Sequence, residues 1–223
     1  LQRACGYSLT GKASEEVFFF VHGGKATGKS TFFEAARAAL GDYAGVADFE
    51  IFLRKKNSGP RNDIARLHGL RFVVSSEVED GKALAEGLVK NLTGNEKVTA
   101  RFLYQEAFEF LPTFKLWLSA NDAPKISDND SAMWRRILRI PFEHYIPPEQ
   151  RDPQIKEMLR SDPATKSAVL AWAVRGCQKW LRDGLQVPDY IKTATEEYRQ
   201  SQDPLADFFE DKSLSTQNLQ DLA

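Results

Sequence analysis

The stretch Val21-His22-Gly23-Gly24-Lys25-Ala26-Thr27-Gly28-Lys29-Ser30-Thr31 constrains this chain more than any other. It follows an apolar, aromatic run, Glu16-Val17-Phe18-Phe19-Phe20-Val21, which lacks a helical period and reads as a buried strand. After it, residues 30–40 are rich in helix formers and are closed by Gly41 at a C′ position. Strand, Gly-x4-Gly-Lys-Ser, helix is the context of a phosphate-binding loop. Its glycines let successive backbone N–H groups point into one concavity, and the helix N-terminus adds partial positive charge. In such a loop Lys29 reaches the β- and γ-phosphates and the Ser30 hydroxyl ligates Mg²⁺. Gly23, Gly24, Lys25, Ala26, Thr27, Gly28, Lys29, Ser30 and Thr31 are therefore expected to surround a nucleotide.

The rest of the composition narrows the partners. With 30 Lys and Arg against 31 Asp and Glu, the 223-residue chain carries a formal net charge of -1. No wholesale polyanion-binding surface is announced, so any nucleic-acid contact must be local. Cys5 and Cys177 match no metal or redox spacing and are expected as free thiols in a reducing cytoplasm. His22, His68 and His144 stand alone and are read as packing or surface residues. Residues 1–11 resemble the end of a helix cut from a longer protein. Arg54, Lys55, Lys56, Arg61, Arg66 and Arg71, against the single acid Asp63, form the densest basic stretch. It is either a solvated face or a contact for nucleic acid or an acidic neighbour.

Three further stations carry chemistry. Arg71-Phe72-Val73-Val74-Ser75-Ser76-Glu77-Val78-Glu79-Asp80 is an apolar strand ending in carboxylates, the form of a Walker B element. Alternation puts Glu77 and Glu79 on one face; Glu77 is favoured as the water-orienting base and Glu79 as a metal or outer-sphere acid. Thr113 to Asp122 is a buried strand delivering Asn121 at its C-terminal end, where open α/β sheets place ligand-contacting groups. Arg135 and Arg136 lead the short apolar strand Ile137-Leu138-Arg139-Ile140, an arginine-finger arrangement or a pair of surface arginines. Between these stations, Gly81 to Gly94 reads as a helix with Leu84, Leu88 and Leu92 on one face. Residues 96–110 read as two extended arms around a polar tip, with Lys97, Arg101 and Tyr104 interleaving cation and aromatic.

Taken together, several motifs resemble the superfamily 3 helicase domain of phage and plasmid primase–helicases, with the poxvirus primase–helicase more distant. They are Gly24-Lys25-Ala26-Thr27-Gly28-Lys29-Ser30-Thr31, Ser76-Glu77-Val78-Glu79-Asp80-Gly81-Lys82, Leu92-Thr93-Gly94, Thr99-Ala100-Arg101, Phe114-Lys115-Leu116-Trp117-Leu118-Ser119-Ala120-Asn121 and Trp134-Arg135-Arg136-Ile137-Leu138-Arg139-Ile140-Pro141-Phe142. The resemblance covers about residues 1–211. It implies a ring-forming AAA+ ATPase, commonly hexameric, that uses ATP and Mg²⁺ to move 3′→5′ along single-stranded DNA. Carried over, Lys29 and Ser30 are Walker A, Glu77 and Glu79 lie in Walker B, and Asn121 is the sensor. Arg136 matches the finger reaching a neighbour's nucleotide, with Arg135 the rival. The 96–110 segment matches the DNA-contacting hairpin, although its tip lacks the Lys-His pair of some relatives.

From Ile146 the pattern turns helical. Asp152-Pro153, Asp162-Pro163 and Asp203-Pro204 each read as an N-cap followed by proline, and Pro188 opens another helix. Leu170, Val174, Cys177 and Leu181 form an apolar stripe, Trp172 and Trp180 read as core, and the tail after Lys212 reads as loose.

The expected fold is α/β: a P-loop NTPase core over 1–147, with a mainly parallel sheet, and a helical subdomain over 148–223. The expected function is ATP-driven DNA unwinding in replication of a phage, plasmid or mobile element, in the cytoplasm of a bacterial host. The expected partners are single-stranded DNA, further copies of the chain, and an N-terminal primase or other region of a longer protein, with no membrane. The rivals are a P-loop kinase, which leaves Asn121 and the Arg135-Arg136 pair unexplained, and a nucleotide-gated DNA-binding ring without unwinding.

Overall fold

The computed structural model describes residues 1–54, 61–76, 82–126 and 131–202. Its centre is a five-stranded sheet built from β1 (Phe18–His22), β2 (Ala44–Val46), β3 (Phe72–Ser76), β6 (Lys115–Ala120) and β7 (Ile137–Pro141), in the order β2-β3-β6-β1-β7. Every neighbouring pair is parallel. Sheets of this kind are covered on both faces, which is why β1 and β6 read as unbroken apolar runs. Alternation divides the residues cleanly. Phe18, Phe20, Val73, Leu116 and Leu118 face one core, while Phe19, Val21, Phe72, Val74 and Trp117 face the other.

Trp117 anchors the second face. Its ring lies 4.2 Å from that of Phe19 and 5.2 Å from that of Phe72, with Phe32 and Phe33 of α2 (Lys29–Leu40) closing over it. Its indole N–H donates to Ser8 Oγ at 3.1 Å, so the buried donor is satisfied from α1 (Gln2–Ser8).

Of the C-terminal helices, α7 (Pro163–Asp183) and α8 (Asp189–Gln200) share these cores, while α6 (Ile155–Ser161) buries no residue and lies on α2. Ala173 and Trp180 of α7 pack into the Trp117 face, and Tyr198 of α8 into the opposite one. Asp162 caps α7 as expected, accepting from the N–H groups of Ala164 and Thr165. Asp152-Pro153 is instead a turn, because α6 begins only at Ile155. Asp203-Pro204 and the tail lie outside the described residues.

Two periodicity readings need correction. The buried stripe of α7 is Ala173, Gly176 and Trp180, whereas Leu170, Val174 and Leu181 are exposed. The reason is steric: α1 approaches so closely that a Cβ on Gly176 would stand 1.9 Å from the Gln2 carbonyl oxygen. The smallest residues therefore hold the contact rather than the largest. After the single turn α3 (Asn62–Ala65), the helix expected over 81–94 is α4, confined to Glu86–Thr93. Leu84 bridges to Leu53 instead, and Leu88 and Leu92 remain in the helix.

The 96–110 segment forms a hairpin of β4 (Val98–Ala100) and β5 (Phe108–Phe110), antiparallel, with Val98 opposite Phe110. Among the described residues no helix is long and apolar enough to cross a membrane.

Candidate functional site

β1 lies between β6 and β7, so its C-terminal end opens beside the end of β6. Backbone register places His22 level with Ala120, one residue before Asn121. The loop leaving β1 turns through Gly23 (φ +154°), Ala26 (φ +57°) and Gly28 (φ +88°) into α2. Glycine is required at 23 because a Cβ would stand 2.1 Å from the Phe142 carbonyl oxygen. Around Gly24 there is open space. The loop is held from outside by Ile146, whose N–H donates to Ala26 O at 2.9 Å.

Lys29 turns back across the loop. Its ammonium donates to Gly23 O at 2.5 Å, to Gly24 O at 2.7 Å and to Asn121 Oδ1 at 3.0 Å. Partial burial pushes its pKa down from the usual lysine value. Two residues assigned from sequence to one site, Lys29 and Asn121, thus touch. Ser30, at the first turn of α2, leaves its hydroxyl exposed to the same cleft.

The cleft is about 800 Å³, and its described lining is cationic. Among the described residues, Lys25, Lys29, Arg37, Arg151 and Lys156 line it against Glu34 and Asp122. Glu34 is held in a bidentate pair with Arg160, at 2.6 and 2.7 Å, which keeps its carboxyl below the usual range. A concavity of backbone N–H groups with excess positive charge fits a polyphosphate. Arg37, Arg151 and Lys156 carry no sequence motif; only the docking of α6 on α2 brings Lys156 here.

β3 delivers Ser76 level with Ser119, one strand from β1. Glu77 and Glu79, the expected Walker B acids, lie outside the described residues, as do Lys55 and Lys56. Among the described residues no group of three His, Cys, Asp or Glu could hold a metal ion. His22 Nδ1 lies 3.0 Å from Arg139 Nη2, and burial followed by the Arg139 charge lowers its pKa. Arg139 also donates to Ala194 O at 3.2 Å, tying α8 to β7, the strand beside β1. In the basic 54–71 stretch, Arg54 pairs with Glu86, Arg61 with Asp63, and Arg71 sits over Tyr43, while Arg66 is exposed.

Arg136 and Arg135 stand in different surroundings. Phe18 N–H donates to Arg136 O at 2.8 Å, so residue 136 sits at the N-terminal end of β1, opposite the loop. At a rise of about 3.3 Å per residue this is at least about 13 Å from the loop. That separation from its own Lys29 was expected. Exposure was not found: the Arg136 guanidinium is buried, pairs with Glu16 at 3.0 Å and donates to Ala132 O at 2.8 Å. Ala132 belongs to α5 (Ser131–Trp134), the helical turn just before Arg136. Arg135, its neighbour, is exposed.

On the hairpin, Lys97, Arg101 and Tyr104 are all exposed. Phe108 and Phe110 root it against the His68 ring, at 5.6 and 5.1 Å, and Phe102 stacks on Phe108 at 5.6 Å. At the tip Tyr104 adopts φ +62° and is wholly exposed, beside exposed Leu103. A bulky residue in the left-handed region is uncommon, and here it projects an aromatic ring into solvent. Lys97 lies 3.5 Å from Glu109, so part of its charge is answered within the hairpin.

A parallel α/β sheet with a glycine loop opening a helix at its C-terminal edge, and Lys29 meeting Asn121 there, defines a P-loop-like domain. The chain belongs to the family of unknown function DUF5906, whose model matches residues 21–136, just over half of it. Those residues include the loop, Asn121 and both arginines.

Among curated proteins the chain is 28% identical over 226 residues to "Putative helicase L207/L206" of Acanthamoeba polyphaga mimivirus, covering 94% of this chain and 24% of that protein. It is 30% identical over 177 residues to "Putative helicase 022R" of Frog virus 3, covering 71% and 18%. It is 25% identical over 211 residues to "Putative primase C962R" of African swine fever virus, covering 87% and 22%. The chain thus spans about a quarter or less of the length of these relatives. Among solved structures, the apo C-terminal region of NrS-1 superposes with a TM-score of 0.61 at 14% identity, covering 89% of this chain and 46% of that one. This shows the α/β fold is shared. The relatives are viral helicase-like and primase-like proteins, and the likeness to a primase–helicase family is at that level.

Proposed function

We propose that this chain is the ATP-hydrolysing motor of a DNA-replication helicase, of the superfamily 3, AAA+ kind. The observation that carries the reading is the contact of Lys29 with Asn121 inside a cationic cleft at the C-terminal edge of the sheet. A kinase reading gives Asn121 no task, whereas a motor uses such an amide to hold the attacking water or the γ-phosphate. In this reading Lys29 leaves the carbonyls of Gly23 and Gly24 to neutralise the β- and γ-phosphates, the charge that builds during transfer. The loop N–H groups of residues 24–31 and the α2 N-terminus hold the remaining phosphate oxygens. Mg²⁺ would supply charge neutralisation between phosphates, with Ser30, Glu77 and Glu79 its protein-side ligands. Glu77 is assigned the general base and Glu79 the outer acid.

The hairpin is assigned to single-stranded DNA, and Arg135 to a neighbouring copy's nucleotide in a hexameric ring. The viral helicase and primase names of the relatives support the replication setting. The test is ATP hydrolysis with and without single-stranded DNA, beside the oligomeric state with an ATP analogue. Stimulation by DNA that disappears in Lys29→Ala supports the motor. Hydrolysis indifferent to DNA points to a kinase-like enzyme, and DNA binding without hydrolysis to a gated ring.

A further inference from the structure

α6 is fastened to α2 by two rungs of unequal strength. The first is the bidentate Arg160–Glu34 pair, at 2.6 and 2.7 Å. The second, one turn away on both helices, is Lys156 Nζ donating to Ser30 Oγ at 3.3 Å. Positions four apart face the same way on a helix, so the Arg160 rung fixes where Lys156 points. The contrast lies in what the two cations meet. Arg160 is paired directly with the Glu34 carboxylate; Lys156 feels that carboxylate only at a distance and donates its one hydrogen bond to a neutral hydroxyl, in a cleft whose described lining is mostly cationic. An ammonium held on a hydroxyl beside like charges gains little, and its flexible stem lets it move a few ångströms to a better acceptor.

We propose that Lys156 is a phosphate ligand of the Lys29 cleft, supplied by the same subunit, and that it engages the terminal phosphate of a nucleoside triphosphate. The proposal rests on the phosphate-loop reading above. Ser30 is the hydroxyl that reading assigns to the metal, so the ammonium must leave it when nucleotide and metal arrive together. The phosphate end of a nucleotide in the Lys29 cleft then offers it an anionic acceptor. α6 runs into α7 through Asp162, which caps α7, so a phosphate gripped by Lys156 is mechanically connected to the C-terminal helices. Arg160 is a positioning residue in this scheme: it touches Glu34 and sets the reach of Lys156.

The experiment is equilibrium binding, in Mg²⁺, of a non-hydrolysable ATP analogue and of ADP to the full chain and its variants. Lys156→Ala is expected to weaken the triphosphate analogue about tenfold, the scale of one charge-assisted contact, and ADP less than about threefold. Lys156→Arg, which keeps a cation, should stay close to wild type. Glu34→Gln should shift the analogue in the direction of Lys156→Ala, because it loosens the rung that aims the lysine. Unchanged affinity for both nucleotides in Lys156→Ala overturns the proposal, and an equal loss for both overturns the assignment to the terminal phosphate. Failure of the wild-type chain to bind either nucleotide would overturn the phosphate-loop reading itself, and this assignment with it. Lys156 is half-buried with a single hydrogen bond, so its variants should fold normally.

Discussion

Lys29 Nζ donates to Asn121 Oδ1 at 3.0 Å, joining residues 92 positions apart, one opening α2 after the glycine loop of β1 and the other just past the end of β6, the strand beside β1. If this is the chemical centre, the two positions must fail differently. Lys29→Ala should reduce ATP hydrolysis to background while leaving Tm within a few degrees, since its partners are loop carbonyls at the surface of the cleft. Asn121→Ala should bind nucleotide almost normally and lose about 10²-fold in kcat, the scale of one missing polar contact to a transition state. Near-normal turnover in both variants would move the site elsewhere.

Arg135 and Arg136 are adjacent in sequence and opposite in circumstance. Arg136→Ala removes a buried guanidinium and its bonds to Glu16 and Ala132, and should cost about 1–3 kcal/mol in unfolding free energy. Arg135→Ala should leave Tm unchanged and depress hydrolysis steeply, by up to about 10³-fold where a finger is lost. Mixing Arg135→Ala with Lys29→Ala protein should then recover activity, because an intact Lys29 can face an intact Arg135 across an interface. No recovery at any mixing ratio would argue that Arg135 does not act between subunits.

The hairpin tip separates charge from stacking. Arg101→Ala should flatten the salt dependence of single-stranded DNA binding by about 0.7 in log–log slope if it contacts one phosphate. Tyr104→Ala should weaken binding by about 1–3 kcal/mol, as one lost stacked base does, with little change in slope. Should both variants bind DNA like wild type, the hairpin is not the DNA path.

Helix α1 can lie on α7 only through glycine. A Cβ on Gly6 would stand 2.0 Å from Cys177 N, and one on Gly176 1.9 Å from Gln2 O. Either Gly→Ala change forces the helices apart and should destabilise by at least about 2 kcal/mol, measured by denaturant unfolding. Gly87, inside α4 with nothing within 4 Å, is the contrasting case. Gly87→Ala should stabilise by about 0.5–1 kcal/mol through helix propensity and lost unfolded-state entropy.

Lys115 gives the stability a pH signature. Its ammonium is buried against Thr10 O and Thr113 O, and burial, with the Arg71 charge beside it, pushes its pKa from 10.5 down to about 7. Above about pH 7 the folded chain has released a proton that the unfolded chain still holds, so raising pH favours folding until the unfolded lysine also titrates. Between pH 7.5 and 8.5 stability should rise by about 1 kcal/mol. Cys5 and Tyr7, both raised to about 12 from 9.0 and 10.0, reverse this trend only at higher pH. Lys115→Met should abolish the rise; a rise that persists assigns it to another group.

The sequence by itself determined what depends on neighbours along the chain. Strand β1, the glycine loop and α2 are contiguous, so their spacing alone predicts a strand, a tight glycine turn and a helix, and the hairpin over 96–110 follows from two extended arms around a tip. The position of Asn121 at the end of a buried strand was legible for the same reason. What only the tertiary structure decided depends on which distant segments meet. Nothing local distinguishes Arg135 from Arg136; the carboxylate of Glu16 does, and it is 120 positions away. The α7 stripe was misread because apolar period rewards large residues, whereas a helix arriving within backbone contact leaves room only for Gly176 and Ala173. Lys156 reaches Ser30 across 126 residues through one ion pair on α6, and no pattern in a short helix encodes that distance. Long-range packing sets these three outcomes, because each turns on a steric or electrostatic partner that lies next to the residue in space and far from it along the chain.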